Sequence, residues 1–374
     1  MKKVLTFALC ALALASCGSG NGSTEAKEIS IKDAIGRDVN VTPGSYKRVV
    51  CIGAGALRLY SYIGDLNLLC GVEDIDKEIL ESRPAMFDNV ARPYVMAGES
   101  VFNTLPSCGV GGPNAQAAEA EKILTCRPDI VISEYEDVEK ENALQEQLGI
   151  PVITMRYGNG ESDFHNSLNI LGTIFGKETR AKELIDFHKD ETADISRRTA
   201  DIPEEGKPNV YICGLGNWGT TNALMTAQNY APFNVARINN VVTGLAKDGI
   251  QAIDQEKFES LAPKMDVMIF DAAAVKNIKG KDFDFSSCKA FQTGEVYLEM
   301  AYNAYFTNAE ISLINTWFIA KSVYPAKFTD IDIEAKANEI TKAYNGVELY
   351  SRIKEMKMSY GGYQKIANPT EFFE

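Results

Sequence analysis

Gly53-Ala54-Gly55 follows an apolar run and opens a helical pattern, and Glu73 stands 20 residues after Gly53. Glycines so placed let a phosphate approach the amides of a helix N-terminus, with the acid free to take a ribose hydroxyl. Arg58 occupies the place of the third glycine, where close helix–strand packing is needed. A nicotinamide-dependent oxidoreductase is therefore the alternative, and the main expectation is a Gly-rich turn whose amides and arginine suit an anionic ligand. The run Glu134-Tyr135-Glu136-Asp137 could hold an acid/base pair, but carboxylates ahead of a helical pattern also suit the positive end of its dipole. The chain has two histidines, His165 and His188, too few for a zinc or manganese site built on several imidazoles. Both read as structural or solvated, and no metal or cofactor is expected. There is no GxSxG, no HExxH and no nucleophile beside a histidine in the sequence, so the residues read as those of a binder and not of an enzyme.

Aromatic and basic side chains gather where strands should end. Tyr135 follows one apolar run, Arg156 and Tyr157 another, Trp218 a third, and Tyr302, Asn303 and Tyr305 a fourth. In open α/β sheets the ligand crevice lies beyond the carboxyl ends of the strands. A cleft lined by Tyr, Trp and Arg would suit a bulky ligand that is aromatic or anionic in part.

The elements that must position these residues form two α/β halves around a helical middle. Strands are expected at Arg48–Ile52, Leu68–Val72, Asp129–Ile132 and Pro151–Met155, after a hairpin formed by Ile29–Ile31 and Val39–Val41. Helices are expected at Ala56–Ile63, Ile75–Phe87, Ala115–Leu124 and Val138–Leu148. From Ser162 to about Ala200 the pattern is helical, broken at Gly176, and its second part would run roughly 35 Å. The second half has strands at Val210–Cys213, Val267–Phe270 and Val296–Leu298, with helices at Gln255–Leu261, Ile311–Tyr324, Ile333–Tyr344 and Gly346–Met356. An internal echo links the halves: Glu121 precedes Pro128 by seven residues and Glu256 precedes Pro263 by seven, each proline leading into a buried strand. The fold class is α/β, two Rossmann-like lobes with mainly parallel sheets joined by one long α-helix. The expected divisions are a signal peptide at 1–16, a lipidated tether at 17–28, lobes at 29–161 and 203–374, and linking helices at 162–202.

Lys2 and Lys3 precede an apolar run from Val4 to Ala15, and Leu14–Cys17 (LASC) resembles the bacterial lipoprotein box, in which Cys17 would carry the lipid. Gly18–Lys27 (GSGNGSTEAK) is a flexible tether by composition. Loss of residues 1–16, with two lysines and no acids, leaves a net charge near −15, which argues against a nucleic-acid partner. Six further cysteines, Cys51, Cys70, Cys108, Cys126, Cys213 and Cys288, lie at irregular spacings within apolar runs. Disulfides and buried free thiols both remain open for them.

The segments Ile31–Pro43 (IKDAIGRDVNVTP), Glu121–Leu124 (EKIL), Arg127–Ile132 (RPDIVI), Leu148–Val152 (LGIPV), Trp317–Lys321 (WFIAK) and Tyr324–Phe328 (YPAKF) together resemble the substrate-binding proteins of ABC importers for iron–siderophore, haem and cobalamin. The resemblance runs from about residue 29 to 350. It implies a lipid-anchored, exported monomer that captures a metal chelate between its lobes and delivers it to an ABC permease with its ATPase. It also implies one docking glutamate per lobe, here Glu121 and Glu256. Gly55–Arg58 (GALR), Arg92–Tyr94 (RPY), Gly111–Pro113 (GGP) and Tyr302–Tyr305 (YNAY) look like a subgroup pattern associated with iron. On that pattern Arg58 and Arg92 would meet negative charge on the ligand, with Tyr94, Tyr135, Tyr157, Trp218, Tyr302, Asn303 and Tyr305 around it. Molybdate, tungstate or another oxyanion is the alternative cargo.

Overall fold

The computed structural model describes residues 27–78, 85–115, 117–156, 160–244, 248–281 and 283–374. Cys17 and Tyr157 lie outside the described residues. The chain opens with an antiparallel hairpin, β1 (Ile29–Lys32) and β2 (Asp38–Val41), paired Ile29 to Val41. Its turn is held by the buried pair Asp33–Arg37, and Arg37 Nη2 donates to the Val152 carbonyl at 2.6 Å, which fastens the hairpin to the first sheet.

That sheet has the order β4-β3-β5-β6, all parallel: β3 (Val49–Ile52), β4 (Leu69–Gly71), β5 (Ile130–Ser133) and β6 (Val152–Thr154). Every residue of these strands is buried, as expected of short apolar runs covered on both faces by helices. The flanking helices are α1 (Ala56–Ile63), α2 (Pro93–Phe102), α3 (Ala120–Cys126) and α4 (Val138–Leu148). The bounds of α1 and α4 are those expected from the sequence. Asp137 caps α4, its Oδ1 accepting from the amides of Glu139 and Lys140 at 3.1 Å each, which settles one carboxylate of the 134–137 run as a helix start.

Two helices then cross the molecule. α5 (Glu161–Phe175) ends at Gly176, whose φ of 62° is the left-handed conformation that closes a helix, and α6 (Glu178–Arg198) runs back beside it. At 21 residues α6 is about 32 Å long. Beyond it, the second sheet has the order β13-β12-β11-β7-β9. Its strands β7 (Asn209–Cys213), β9 (Asn239–Asn240), β11 (Val267–Asp271) and β12 (Val296–Glu299) are parallel, and only β13 (Gln364–Lys365) is antiparallel. A small antiparallel pair, β8 (Met225–Ala227) with β10 (Ile250–Ala252), is separate from it. The helices of this half are α7 (Ala231–Val235), α8 (Gln255–Leu261), α9 (Ala272–Ile278), α10 (Lys289–Thr293), α11 (Ala309–Val323), α12 (Ile333–Asn345), α13 (Tyr350–Glu355) and α14 (Pro369–Phe373).

The internal echo has a structural meaning. Asp129, before β5, accepts from the amides of Lys47 at 2.7 Å and Arg48 at 3.0 Å, and its own amide donates to the Arg48 carbonyl. Asp266, before β11, accepts from the Asn209 amide at 2.8 Å while its amide donates to the Asn209 carbonyl. In each half one aspartate clamps the start of the two central strands.

Four expectations shift. The helix expected at Ile75–Phe87 is replaced by single 3₁₀ turns at Asp74–Asp76 and Ala85–Phe87, with 79–84 outside the described residues. The Ile75 carbonyl accepts from Arg92 Nη2 at 2.9 Å, and the Asp76 carboxylate takes Arg92 and Tyr94, so this segment is bonded sideways and not along a helix. α2 has no counterpart among the expected helices; Pro93 sits at its first helical position, where its missing N–H costs nothing. The helix expected at Ala115–Leu124 begins later, at Ala120, and the one expected at Gly346–Met356 shortens to α13.

Candidate functional site

The carboxyl ends of both sheets carry Gly-x-Gly turns: Gly53 and Gly55 after β3, Gly214 and Gly216 after β7, all at positive φ. A side chain on Gly214 would lie 2.2 Å from the Ala274 methyl, so the loop and α9 touch as only glycine allows. The first turn differs from its expected form. Glu73 Oε2 accepts from the Gly53 amide at 3.1 Å, so the amide read as an anion donor is already bound by the acid 20 residues on.

The Glu73 carboxylate also receives the Tyr305 hydroxyl at 3.2 Å, and that hydroxyl accepts from the Gly112 amide at 2.9 Å. Tyr305 belongs to the loop after β12, whose residues Tyr305 and Phe306 both hold left-handed backbone, φ 55° and 69°. For aromatic residues this conformation is strained, and it carries Tyr305 across to the Gly-rich segment of the first half. Arg58, fully buried in α1, reaches the other way. Its Nε donates to Asn308 Oδ1 at 3.1 Å and its Nη2 to the carbonyls of Ala304 and Tyr305, while Nη1 has no hydrogen-bond partner. The guanidinium lies 4.7 Å from the centre of the Tyr94 ring. Tyr62 of α1 also crosses, donating to Glu310 of α11 at 2.5 Å.

Arg92 is tied down entirely within its own half. It pairs with Asp76 at 2.8 Å and lies over the Phe87 ring at 5.1 Å, and Tyr94 donates to the same Asp76 oxygen at 2.6 Å. Arg58, Arg92, Tyr94 and Tyr305 thus come together as one buried network. Trp218 and Asn303 form a second group, with the Trp218 amide donating to the Asn303 carbonyl, Asn303 Nδ2 to Asn217, and the Lys276 ammonium 4.9 Å from the Trp218 ring centre. Tyr135 is not brought to either group: it lines a shallow recess with Ala118, Glu141 and Leu144.

Tyr302 lines a third place, a cavity of about 300 Å³ between the crossing helices and the second half. Phe164 of α5, His188 of α6, Tyr230, Pro232, Tyr302 and Leu313 are among its walls. A wider surface depression of about 810 Å³, around Phe283, Phe285, Phe291 and Phe373, contains none of the expected site residues.

Buried carboxyl groups are the part of the site that sequence reading missed. Glu73, after β4, and the half-buried Glu134, after β5, flank the end of β3 in the first sheet, and Asp271 and Glu299 end the neighbouring strands β11 and β12 of the second. Burial pushes Glu73 up to about 8, with the nearby Asp76 adding to the effect, and burial alone pushes Asp271 to about 8. Glu134 is raised well above the usual carboxyl range by burial, and Glu299 by burial and then by Asp271. Tyr230 donates to Glu299 Oε1 at 2.8 Å, while Glu299 Oε2, Asp271 Oδ2 and Glu134 Oε1 have no partner. At neutral pH such groups are neutral acids able to donate a hydrogen bond, so they do not repel an anionic ligand. Glu73 and Glu134 stand out in the sequence by position, but nothing there marks the first as buried or the Oε1 atom of the second as enclosed, while Glu136 and Asp137 of the same run are exposed.

The two histidines also meet. His165 Nε2 and His188 Nδ1 are 3.1 Å apart, and Glu161 stands 3.7 Å from the first ring and 4.0 Å from the second. Burial, then His165, pushes His188 down to about 4, and burial lowers His165. The six described cysteines are free and buried. Glu121 and Glu256 are exposed in the first turns of α3 and α8, in equivalent places before β5 and β11. No helix among the described residues is long and apolar enough to cross a membrane.

The family described as periplasmic binding protein matches residues 89–298. A Bacillus subtilis (strain 168) protein described as an uncharacterised ABC transporter substrate-binding lipoprotein, YvrC, is 25% identical over 95 residues, which span 25% of this chain and 30% of that protein. The structure of a periplasmic solute binding protein from Veillonella parvula is similar with a TM-score of 0.67 at 20% identity, covering 93% of this chain and 100% of that one. The molybdate-bound periplasmic protein MolA of Haemophilus influenzae is similar with a TM-score of 0.65 at 16% identity, covering 86% and 98%.

Proposed function

Because the chain belongs to the periplasmic binding protein family, we propose that it is an exported solute-binding lipoprotein, anchored through Cys17, that captures a metal chelate and hands it to an ABC permease. The cargo in this reading is a ferric siderophore, haem or a related complex. The observation that carries it is the cavity of about 300 Å³ walled by Phe164, Tyr230 and Tyr302 at the junction of the crossing helices and the second sheet. Aromatic walls with a few polar groups are the usual make-up of a small-molecule site. Tyr302 would stack on the cargo. Arg58, Arg92, Tyr94, Tyr157, Trp218, Asn303 and Tyr305 would act from outside that cavity, at the strand ends, Arg92 indirectly, since its donors serve Asp76 and Ile75; Tyr135, in its own recess, has no part in this reading.

Glu121 and Glu256 would dock on the permease, one from each half, a role supported by their exposure and equivalent placement. The lobes would comprise 29–161 and 203–374, with 162–202 as the link, and the protein would act as a monomer without doing chemistry. An oxyanion is the second reading. It is favoured by the buried Arg58 Nη1, which lacks a partner, and the protein similar to this one from H. influenzae was bound to molybdate.

A thermal-shift screen with ferric siderophores, haem, cobalamin, molybdate, tungstate and NAD tests the proposal. A true cargo at 100-fold over its dissociation constant stabilises the fold by about 2.7 kcal/mol. Response to a chelate supports the first reading and response to an oxyanion the second. Stabilisation by NAD alone overturns both.

A further inference from the structure

We propose that Glu161, His165 and His188 form a site for a divalent transition-metal ion, with an open coordination position facing the cavity beside it. The chain's two histidines are 23 residues apart in sequence, yet the α5–α6 hairpin places their ring nitrogens 3.1 Å apart. One donor atom from each of the three residues lies within 4.8 Å of the others. Metal–nitrogen and metal–oxygen bonds of about 2.0–2.2 Å at tetrahedral angles separate neighbouring donors by roughly 3.3 Å. The imidazole pair already has that spacing. Glu161 Oε1 is 4.0 Å from that same His188 Nδ1 but stands beside the other nitrogen of His165, Nδ1, at 3.7 Å. Its half-exposed side chain must therefore swing towards His165 Nε2, closing a gap of at most 4.8 Å, by about 1 Å or more.

The surroundings hold the rings in place. Phe164 sits 5.7 Å from each imidazole, and the two rings meet edge to face at 5.2 Å. Such a shell fixes ligand orientation before the ion arrives. Two imidazoles and one carboxylate suit zinc, nickel, cobalt or copper better than the oxygen-seeking calcium or magnesium. Lys189, exposed on α6, opposes a cation, and Glu161 is the charge that offsets it. Three protein donors leave at least one position open. Glu161 and His188 also line the cavity that holds Tyr230 and Tyr302, so an ion here would present its free position to whatever fills that space. Ligation of the cargo through the ion rests on the transport reading, whereas the ion site itself does not.

The full chain, freed of metal with a chelator, is titrated with Zn²⁺ by calorimetry and with Co²⁺ and Cu²⁺ by spectroscopy. The expected result is one equivalent bound, with nitrogen superhyperfine splitting in the copper resonance. His165→Gln and His188→Gln should each weaken binding by about tenfold or more. No binding overturns the site, and so does unchanged affinity in the doubly substituted chain, which would point to the buried thiols or surface carboxylates. Should the variants not fold, the wild-type copper spectrum decides: no nitrogen splitting overturns the proposal. The solute screen run with and without Zn²⁺ separates the two readings. Solute binding without any metal uptake leaves the transport reading standing alone, and metal uptake without any solute response leaves the ion site standing alone.

Discussion

Replacing Glu73 by Gln should change how stability depends on pH more than it changes stability itself. Glu73 is buried beneath Tyr305 and Gly53, and burial pushes it from 4.5 up to about 8. Below about pH 4.5 both the folded and unfolded chains hold this proton. Between about pH 4.5 and 8 the unfolded chain releases it while the folded chain keeps it, so the folded state loses ground as pH rises. Above about pH 8 both have released it and the difference is constant. The slope is about 1.4 kcal/mol per pH unit for one group. From about pH 5 to about pH 7 the wild type should therefore lose on the order of 3 kcal/mol relative to Glu73→Gln. Any constant cost of the amide, such as an imperfect fit for its extra donor, cancels in this double difference. So do the slopes contributed by Asp271 and Glu299. Urea unfolding of both proteins at about pH 5, 7 and 9 measures it. A difference that stays flat across that range would mean Glu73 ionises as an exposed carboxyl does, and the closed Glu73–Tyr305–Gly112 bridge would have to be abandoned.

Three further outcomes are expected. Trp317→Ala should cost about 3–5 kcal/mol in unfolding free energy, because the indole is buried between α11 and α6 and its N–H donates to Glu191 at 2.6 Å; a loss below about 1 kcal/mol would show that the crossing helix is held by other contacts. Tyr302→Ala should weaken cargo binding by about 1 kcal/mol, roughly fivefold, through loss of ring contact, with a melting temperature close to wild type; calorimetry with the stabilising solute reads this, and unchanged affinity removes Tyr302 from the site. Glu121→Arg with Glu256→Arg should leave solute binding intact and abolish uptake in cells, and normal uptake would dismiss these residues as docking points.

Most of the scaffold was legible because its elements carry strong local signals. Val49–Ile52 and Ile130–Ser133 are apolar runs of strand length, and Val138–Leu148 follows a capping aspartate and ends at Gly149 in left-handed conformation. β9 and β13 are two residues long and β8 and β10 three, too short to show a period. The helix expected at Ile75–Phe87 failed because tertiary bonds from Arg92 outweighed a local pattern. The candidate site was less legible. The arginine and tyrosine positions were found, but burial turned Arg92 towards Asp76, and Arg58 towards carbonyls of the opposite half. Charge type is written in the sequence, whereas the desolvation that makes Glu73 or Asp271 a neutral acid arises only once the chain has packed around them. The histidine pair was readable in principle. His165 and His188 lie 11 and 12 residues on either side of Gly176, and an antiparallel helix pair turning at that glycine must bring them level.

The clamping aspartates bear on the order in which the chain folds. Asp129 reaches back 81 residues to Arg48, and Asp266 reaches back 57 to Asn209. Loop-closure entropy grows only with the logarithm of length, so the two sheets differ at this step by about 0.3 kcal/mol. They start on nearly equal terms, and neither can register its central strands until its own aspartate has left the ribosome. The helices about Gly176 need no such wait, since their contacts are local and local contacts form fastest. Folding should then run outwards from the middle of the chain, with amides of α5 and α6 protected in pulse-labelled exchange before those of β3 and β7. Earlier protection of either sheet would reverse that order. The pair of helices that crosses the finished molecule would also be the first piece made.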